Sequence, residues 1–100
     1  QTFVESRGFS IVEVLCGHGV GHAVHEEPQI PNYGRPGTGP VIKVGNVFAI
    51  EPIVNVGSKE VVFDDEGDGY SVYTVDGSRS AHFEHTVAIT EKGPEIMTRL

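Results

Sequence analysis

Apolar positions in this chain come in short runs set between polar ones, and no stretch keeps a helical period for long. Residues 1–7 place Phe3 and Val4 among polar neighbours, with Gly8 standing where a helix stops; this predicts the last turn or two of a helix whose beginning lies upstream. Residues 9–15 are rich in Ile and Val and alternate loosely, which predicts a strand leading into a segment of glycines and histidines. Residues 28–40 hold Pro28, Pro31, Pro36 and Pro40 with Gly34, Gly37 and Gly39, a composition that predicts a long loop. A short strand is expected over 41–44, a turn at Gly45-Asn46, and a second apolar strand over 47–54 that carries a single charge, Glu51, followed by Pro52. Residues 60–63 and 70–75 read as the arms of a hairpin around an acidic tip at 64–69. A turn at Asp76-Gly77 then leads to a final pair of strands, 80–90 and 95–98, with Gly93-Pro94 between them. The pattern predicts an α+β fold, with about six strands in a mostly antiparallel sheet and the truncated helix at the front packed on one face.

Composition narrows what such a sheet can serve. With 100 residues the chain is one compact domain or a piece of a larger one, and 13 glycines and 6 prolines fit a fold rich in turns. Seven Lys and Arg face fourteen Asp and Glu for a net charge of −7, and the basic residues are scattered singly, so no stripe exists to track phosphates. Nucleic acid is excluded as a direct partner, and cations suit the balance better. The one cysteine, Cys16, rules out an internal disulfide framework and favours a reducing compartment. No apolar run approaches the roughly 18 residues of a membrane span, and no signal-peptide pattern opens the chain. The first residue is Gln1 rather than methionine, so a cut start is expected.

Three residues carry the candidate chemistry. The segment C-G-H-G-V-G-H-A-V-H-E-E-P at 16–28 flanks His18 with glycines, each of which costs regular structure about 1 kcal/mol relative to alanine. Close approach of another backbone, or dihedral angles only glycine accepts, would explain that cost and would let His18 reach a crowded site. Glu51 lies within V-F-A-I-E-P-I-V and Glu84 within A-H-F-E-H-T-V-A-I, and a lone carboxylate is costly to bury in such surroundings. Each taken alone could be a strand-end acid that reaches water. Brought together the two would repel until one took up a proton, unless a cation lay between them; a divalent metal resolves all three oddities.

Other readings are weaker. Asp64, Glu66, Asp68 and Gly69 imitate the start of a calcium loop, but Val75 stands where its closing glutamate belongs, so a solvated turn is expected. His22 and His25 lack the H-E-x-x-H order of zinc helices. Cys16 reads as a structural thiol, and His82 and His85 read as surface or supporting groups around Glu84 rather than as ligands.

Four blocks, G-H-G-V-G-x-x-V-H-E-E-P (17–28), A-I-E-P-I-V-N (49–55), D-G-Y-S-V-Y-T-V-D (68–76) and S-A-H-F-E-H-T (80–86), resemble in order and spacing the second half of a type I methionine aminopeptidase. The resemblance implies that residues 1–100 are the C-terminal portion of the catalytic domain, the C-terminal half of a pita-bread fold whose two halves enclose two divalent metal ions. It implies His18 as a ligand of one metal, Glu51 as a ligand and proton shuttle, Glu84 as the carboxylate bridging both metals, and His25 as a group that contacts substrate and steadies the tetrahedral intermediate. The implied reaction is removal of the N-terminal methionine from nascent polypeptides in the cytoplasm, by attack of a metal-bridging hydroxide. Co, Mn, Fe or Zn would each suit the donor set. The ribosome is a possible partner, and no membrane is involved.

Departures are equally informative. Val24 stands where the family has phenylalanine in the methionine-pocket wall, Tyr70 replaces a tryptophan, and His82 replaces a glutamine. The family's two metal-binding aspartates and a further catalytic histidine belong upstream, so a missing N-terminal half is expected and this portion alone is expected to be inactive. X-prolyl aminopeptidases and prolidases share the G-H-G-x-G block but carry different glutamate blocks, and a non-catalytic pita-bread binding module would have no use for the inward carboxylates. The short spacing between His25 and Glu51 leaves no room for the insertion of type II enzymes.

Overall fold

The opening helix stops because Gly8 takes a φ of 83°, a left-handed conformation that costs little only without a Cβ. In the computed structural model, which describes residues 1–100, helix α1 (Thr2–Glu5) closes through backbone bonds from the Gly8 and Phe9 amides to the Glu5 and Val4 carbonyls. Ten short strands follow. They are β1 (Ser10–Ile11), β2 (Gly17–Gly19), β3 (Glu26–Ile30), β4 (Val47–Ile50), β5 (Ile53–Asn55), β6 (Val61–Phe63), β7 (Val72–Thr74), β8 (Ser80–His82), β9 (His85–Thr90) and β10 (Gly93–Ile96). Every pairing among them is antiparallel. They form a five-stranded sheet in the order β10-β9-β4-β2-β3, a three-stranded sheet β1-β5-β8, and the two-stranded β6-β7 hairpin.

The two larger sheets are joined where the chain steps from one to the other. The expected strands over 47–54 and 80–90 each break into two. Pro52 has no N–H to offer a ladder, so the chain leaves the large sheet at Ile50 and re-enters the small one at Ile53. The partner strand breaks opposite, at Phe83-Glu84. β4 pairs β9 on one side of this gap and β5 pairs β8 on the other, with Ile50 facing His85 and Ile53 facing His82. The Phe83 amide donates to the Pro52 carbonyl at 3.2 Å and bridges the gap.

Several expectations change in space. Of residues 9–15 only Ser10–Ile11 pair, and the chain then bends from the small sheet toward β2. The loop expected over 28–40 begins later, because Glu26–Ile30 pairs with Gly17–Gly19 as an edge strand that tolerates Pro28. No strand forms over 41–44: Val41 is 80% exposed, and the amides beyond it serve a turn in which Lys43 N–H binds the Asn46 side chain and Gly45 adopts a φ of 96°. Gly93 and Pro94 open β10 instead of separating strands, and the turn falls at Glu91-Lys92. The hairpin over 60–63 and 70–75 does form, with Val62 opposite Tyr73.

The apolar core is small. Ile11, Val12, Phe48, Ala49 and Val87 are its buried members, drawn from both sheets. Gly17 and Gly19 are buried with them, and here space decides: a Cβ on Gly17 would strike the Ala49 carbonyl, and one on Gly19 the Glu27 carbonyl. Gly17→Ala is expected to lower stability by about 1–3 kcal/mol, read as an earlier urea midpoint with unchanged slope.

The turn after β7 carries a separable electrostatic device. Asp76 accepts backbone amides from Ser58 and Ser78, which with a Ser78 side-chain bond hold its carboxyl down at about 2. The depressed value means that the ionised form stabilises the fold above the ordinary 3.8 and that this stabilisation is lost as pH falls through about 2. The stability difference between the wild type and Asp76→Asn, measured by urea titration, should therefore be constant near neutrality and shrink across that acid window.

Candidate metal centre

Strand register gathers the candidate residues. His18 of β2 lies directly opposite Ala49 of β4, and Ala49 lies opposite Thr86 of β9. Side chains on a strand repeat every second residue, so Glu51, two beyond Ala49, and Glu84, two before Thr86, continue the same face. Both fall in the gap between the sheets, where neither is constrained by a ladder partner. His82 is two further along from Glu84 and faces Ile53. Register thus places one imidazole above the gap, one below it, and two carboxylates within it.

The atoms meet accordingly. His18 Nε2 stands 3.2 Å from Glu51 Oε1, and His82 Nε2 stands 3.1 Å from Glu51 Oε2. The Glu51 side chain is only 15% exposed. Ligand atoms of His18, His25 and Glu51 lie within 4.8 Å of one another, as do those of Glu51, His82 and Glu84. Between Gln29 and Glu26, β3 carries two extra residues, Glu27 and Pro28, against the single step from His18 to Gly19, and His25 lies just before this irregularity. The two rings stack with centroids 3.5 Å apart and planes 24° apart.

The tautomer of His18 tests whether a metal fits. Its Nδ1 lies 2.9 Å from the Gly19 carbonyl, which can only accept, so Nδ1 carries the proton. In the neutral ring, Nε2 then presents a lone pair to a carboxylate oxygen. Two acceptors facing each other in a mostly buried site call for a positive charge between them, either a proton or a cation. A second hydrogen bond that fixes the ring and aims the other nitrogen is also the usual support of a metal-ligating histidine. The residues present fit a divalent cation.

A cleft of about 450 Å³ opens on this cluster, with His25, Glu51 and His82 in its wall beside Cys16, Tyr70 and Tyr73. Tyr70 lies on the rim of this cleft and is itself 89% exposed. Val24 does not line it and is 81% exposed. His22 lies outside both clusters, and His85 is turned away to Thr98 Oγ1 at 2.8 Å. Sequence reading placed His82 among supporting groups and missed its bond to Glu51. Only the β5–β8 register reveals that pairing, since thirty-odd positions of chain separate the two.

Two imidazole-and-carboxylate clusters that share Glu51, on a folded antiparallel ribbon, make a candidate metal centre. The model of metallopeptidase family M24 matches residues 1–91, and the chain belongs to that family. It is 55% identical to the methionine aminopeptidase of Clostridium perfringens over 98 residues, which cover 98% of this chain and 39% of that protein. The crystal structure of methionine aminopeptidase from Thermotoga maritima superposes with a TM-score of 0.93 at 55% identity, covering 100% of this chain and 39% of that one. That from Rickettsia prowazekii gives 0.94 at 42% identity, covering 99% and 40%. The fold is accordingly the α+β, mostly antiparallel architecture of a pita-bread segment, and the chain spans about two fifths of the length of these relatives. No helix is long and apolar enough to cross a membrane.

Glu51 touches both imidazoles, so its carboxylate charge should matter more to cation binding than to folding. Glu51→Gln is expected to weaken Co(II) or Zn(II) binding at least about tenfold, measured by titration calorimetry, with circular dichroism unchanged.

Proposed function

We propose that this chain forms the C-terminal part of the catalytic domain of a methionine aminopeptidase and supplies His18, Glu51 and Glu84 to its metal centre. The observation that carries this reading is the meeting of His18 and Glu51 at 3.2 Å beside a cleft, in a chain half-identical to proteins of that name. The fragmentary coverage supports a division of labour in which residues outside this chain complete the ligand set and the chain alone turns over no peptide. Two ions of the Mn, Fe, Co or Zn type are the expected occupants.

Bound divalent ions would supply Lewis acidity, polarising a scissile carbonyl and acidifying water at neutral pH. The chain's own residues then have distinct tasks. His18, pinned through Nδ1, presents Nε2 as a fixed neutral donor. Glu51 has one oxygen toward His18 and one toward the cleft side at His82, a position from which a carboxylate can take up and release a proton as the amine departs. His25 lines the cleft with its face on His18 and its edge open, so its N–H can donate to the peptide oxygen where negative charge develops. The apolar and aromatic wall around Tyr70 and Tyr73 suits an unbranched hydrophobic side chain at the peptide's N-terminus. The expected substrates are nascent polypeptides, and the expected setting is the cytoplasm, near the ribosome.

The test uses the protein that carries this chain, loaded with Co(II) or Mn(II), on Met-Ala-type and Xaa-Pro-type peptides. Release of methionine from the first and none from the second is the expected result, and the reverse preference would overturn the reading. His25→Ala should lower kcat about 10²–10³-fold, the cost typical of losing one donor to a developing oxyanion, while metal content stays unchanged.

A further inference from the structure

The metal-centre reading leaves one imidazole without a task. That imidazole is His82, whose ring makes its side-chain bond to Glu51 Oε2 alone. We infer that His82 is itself a metal ligand, so that Glu51, His82 and Glu84 form a cation site on this chain that adds a second imidazole to the centre. The inference rests on the metallopeptidase reading and extends its ligand set.

Four observations converge. The donor atoms of the three side chains lie within 4.8 Å of one another, a spread that one ion can draw together. Half-buried Glu51 and exposed Glu84 share that cluster, and a divalent charge placed among them would relieve their repulsion. The His82 side chain is 47% exposed and lines the cleft, which gives an ion an entry path. Finally, strand period holds the set: His82 and Glu84 are two apart on one strand line, and the His82–Ile53 pairing brings them beside Glu51.

Glutamine and histidine differ here in a way that matters. Either side chain can donate a hydrogen bond to the Glu51 carboxylate, but only imidazole is a strong ligand of first-row metals. An added nitrogen raises affinity most for ions high in the Irving–Williams order and least for Mn(II). This chain's centre is therefore expected to prefer Co(II) and Zn(II) over Mn(II) more strongly than a centre with glutamine at that position.

His82→Gln and His82→Cys separate ligation from mere positioning. Gln keeps the donor to Glu51, whereas Cys loses it and restores a ligand. The proposal expects His82→Gln to weaken Co(II) binding at least about tenfold, to weaken Mn(II) binding less, and to alter the visible Co(II) bands. His82→Cys should regain Co(II) affinity and add a thiolate-to-cobalt charge-transfer band. Co(II) affinity and spectrum in His82→Gln identical to those of the wild type would overturn it. If Glu51→Gln still abolishes binding in that case, the metal-centre reading survives without His82; if the wild type takes up no Co(II) at all, both fall together.

Discussion

The antiparallel register from His18 through Ala49 to Thr86 is the constraint on which the rest depends. Once those three positions stand in line across the sheet, the two-residue period of a strand decides where Glu51 and Glu84 emerge. A slip of one residue in either pairing would send a carboxylate to the opposite face and leave His18 without its neighbour. Gly17 prevents such a slip sterically, because only a residue without a Cβ lets β4 come so near. The glycines around the histidine are thus part of the positioning, and neither Gly17 nor Gly19 uses a positive φ.

What could be read from the amino acids, and what could not, follows from the range of the forces involved. The Gly8 stop and the β6–β7 hairpin are local, written in backbone preference and turn chemistry, and both form as read. Glu51 and Glu84 were conspicuous because a carboxylate in an apolar run demands a compensating charge, and the structure gathers both at one gap. The strand at Glu26–Ile30 was hidden because its partner is glycine-rich β2, and its own Pro28 argues against a strand when no edge is known. The run at 41–44 misled in the other direction: its valines and isoleucine look like a strand, yet they pair with no strand and stay exposed. His82 was invisible as a partner of Glu51, since nonlocal register leaves no trace in sequence spacing.

Electrostatically, the centre depends on one poorly exposed carboxylate with an imidazole at each oxygen. Such an arrangement is weak as a source of stability, because desolvating Glu51 offsets much of what its partners return. It is strong as a device for holding positive charge, and the acidic surroundings of a chain with net charge −7 favour cations over anions throughout.

The folded ribbon has a consequence for how the molecule comes apart. β5 and β8 sit in a narrow three-stranded sheet, whereas β4 and β9 lie within the broader five-stranded one. Fluctuations that fray the narrow sheet would carry off His82 and loosen the grip on Glu51 while His18 remains anchored. Loss of the chemical apparatus should then precede loss of the scaffold on warming. The durability of the histidine–carboxylate cluster is set by its weakest seam and not by the melting of the core.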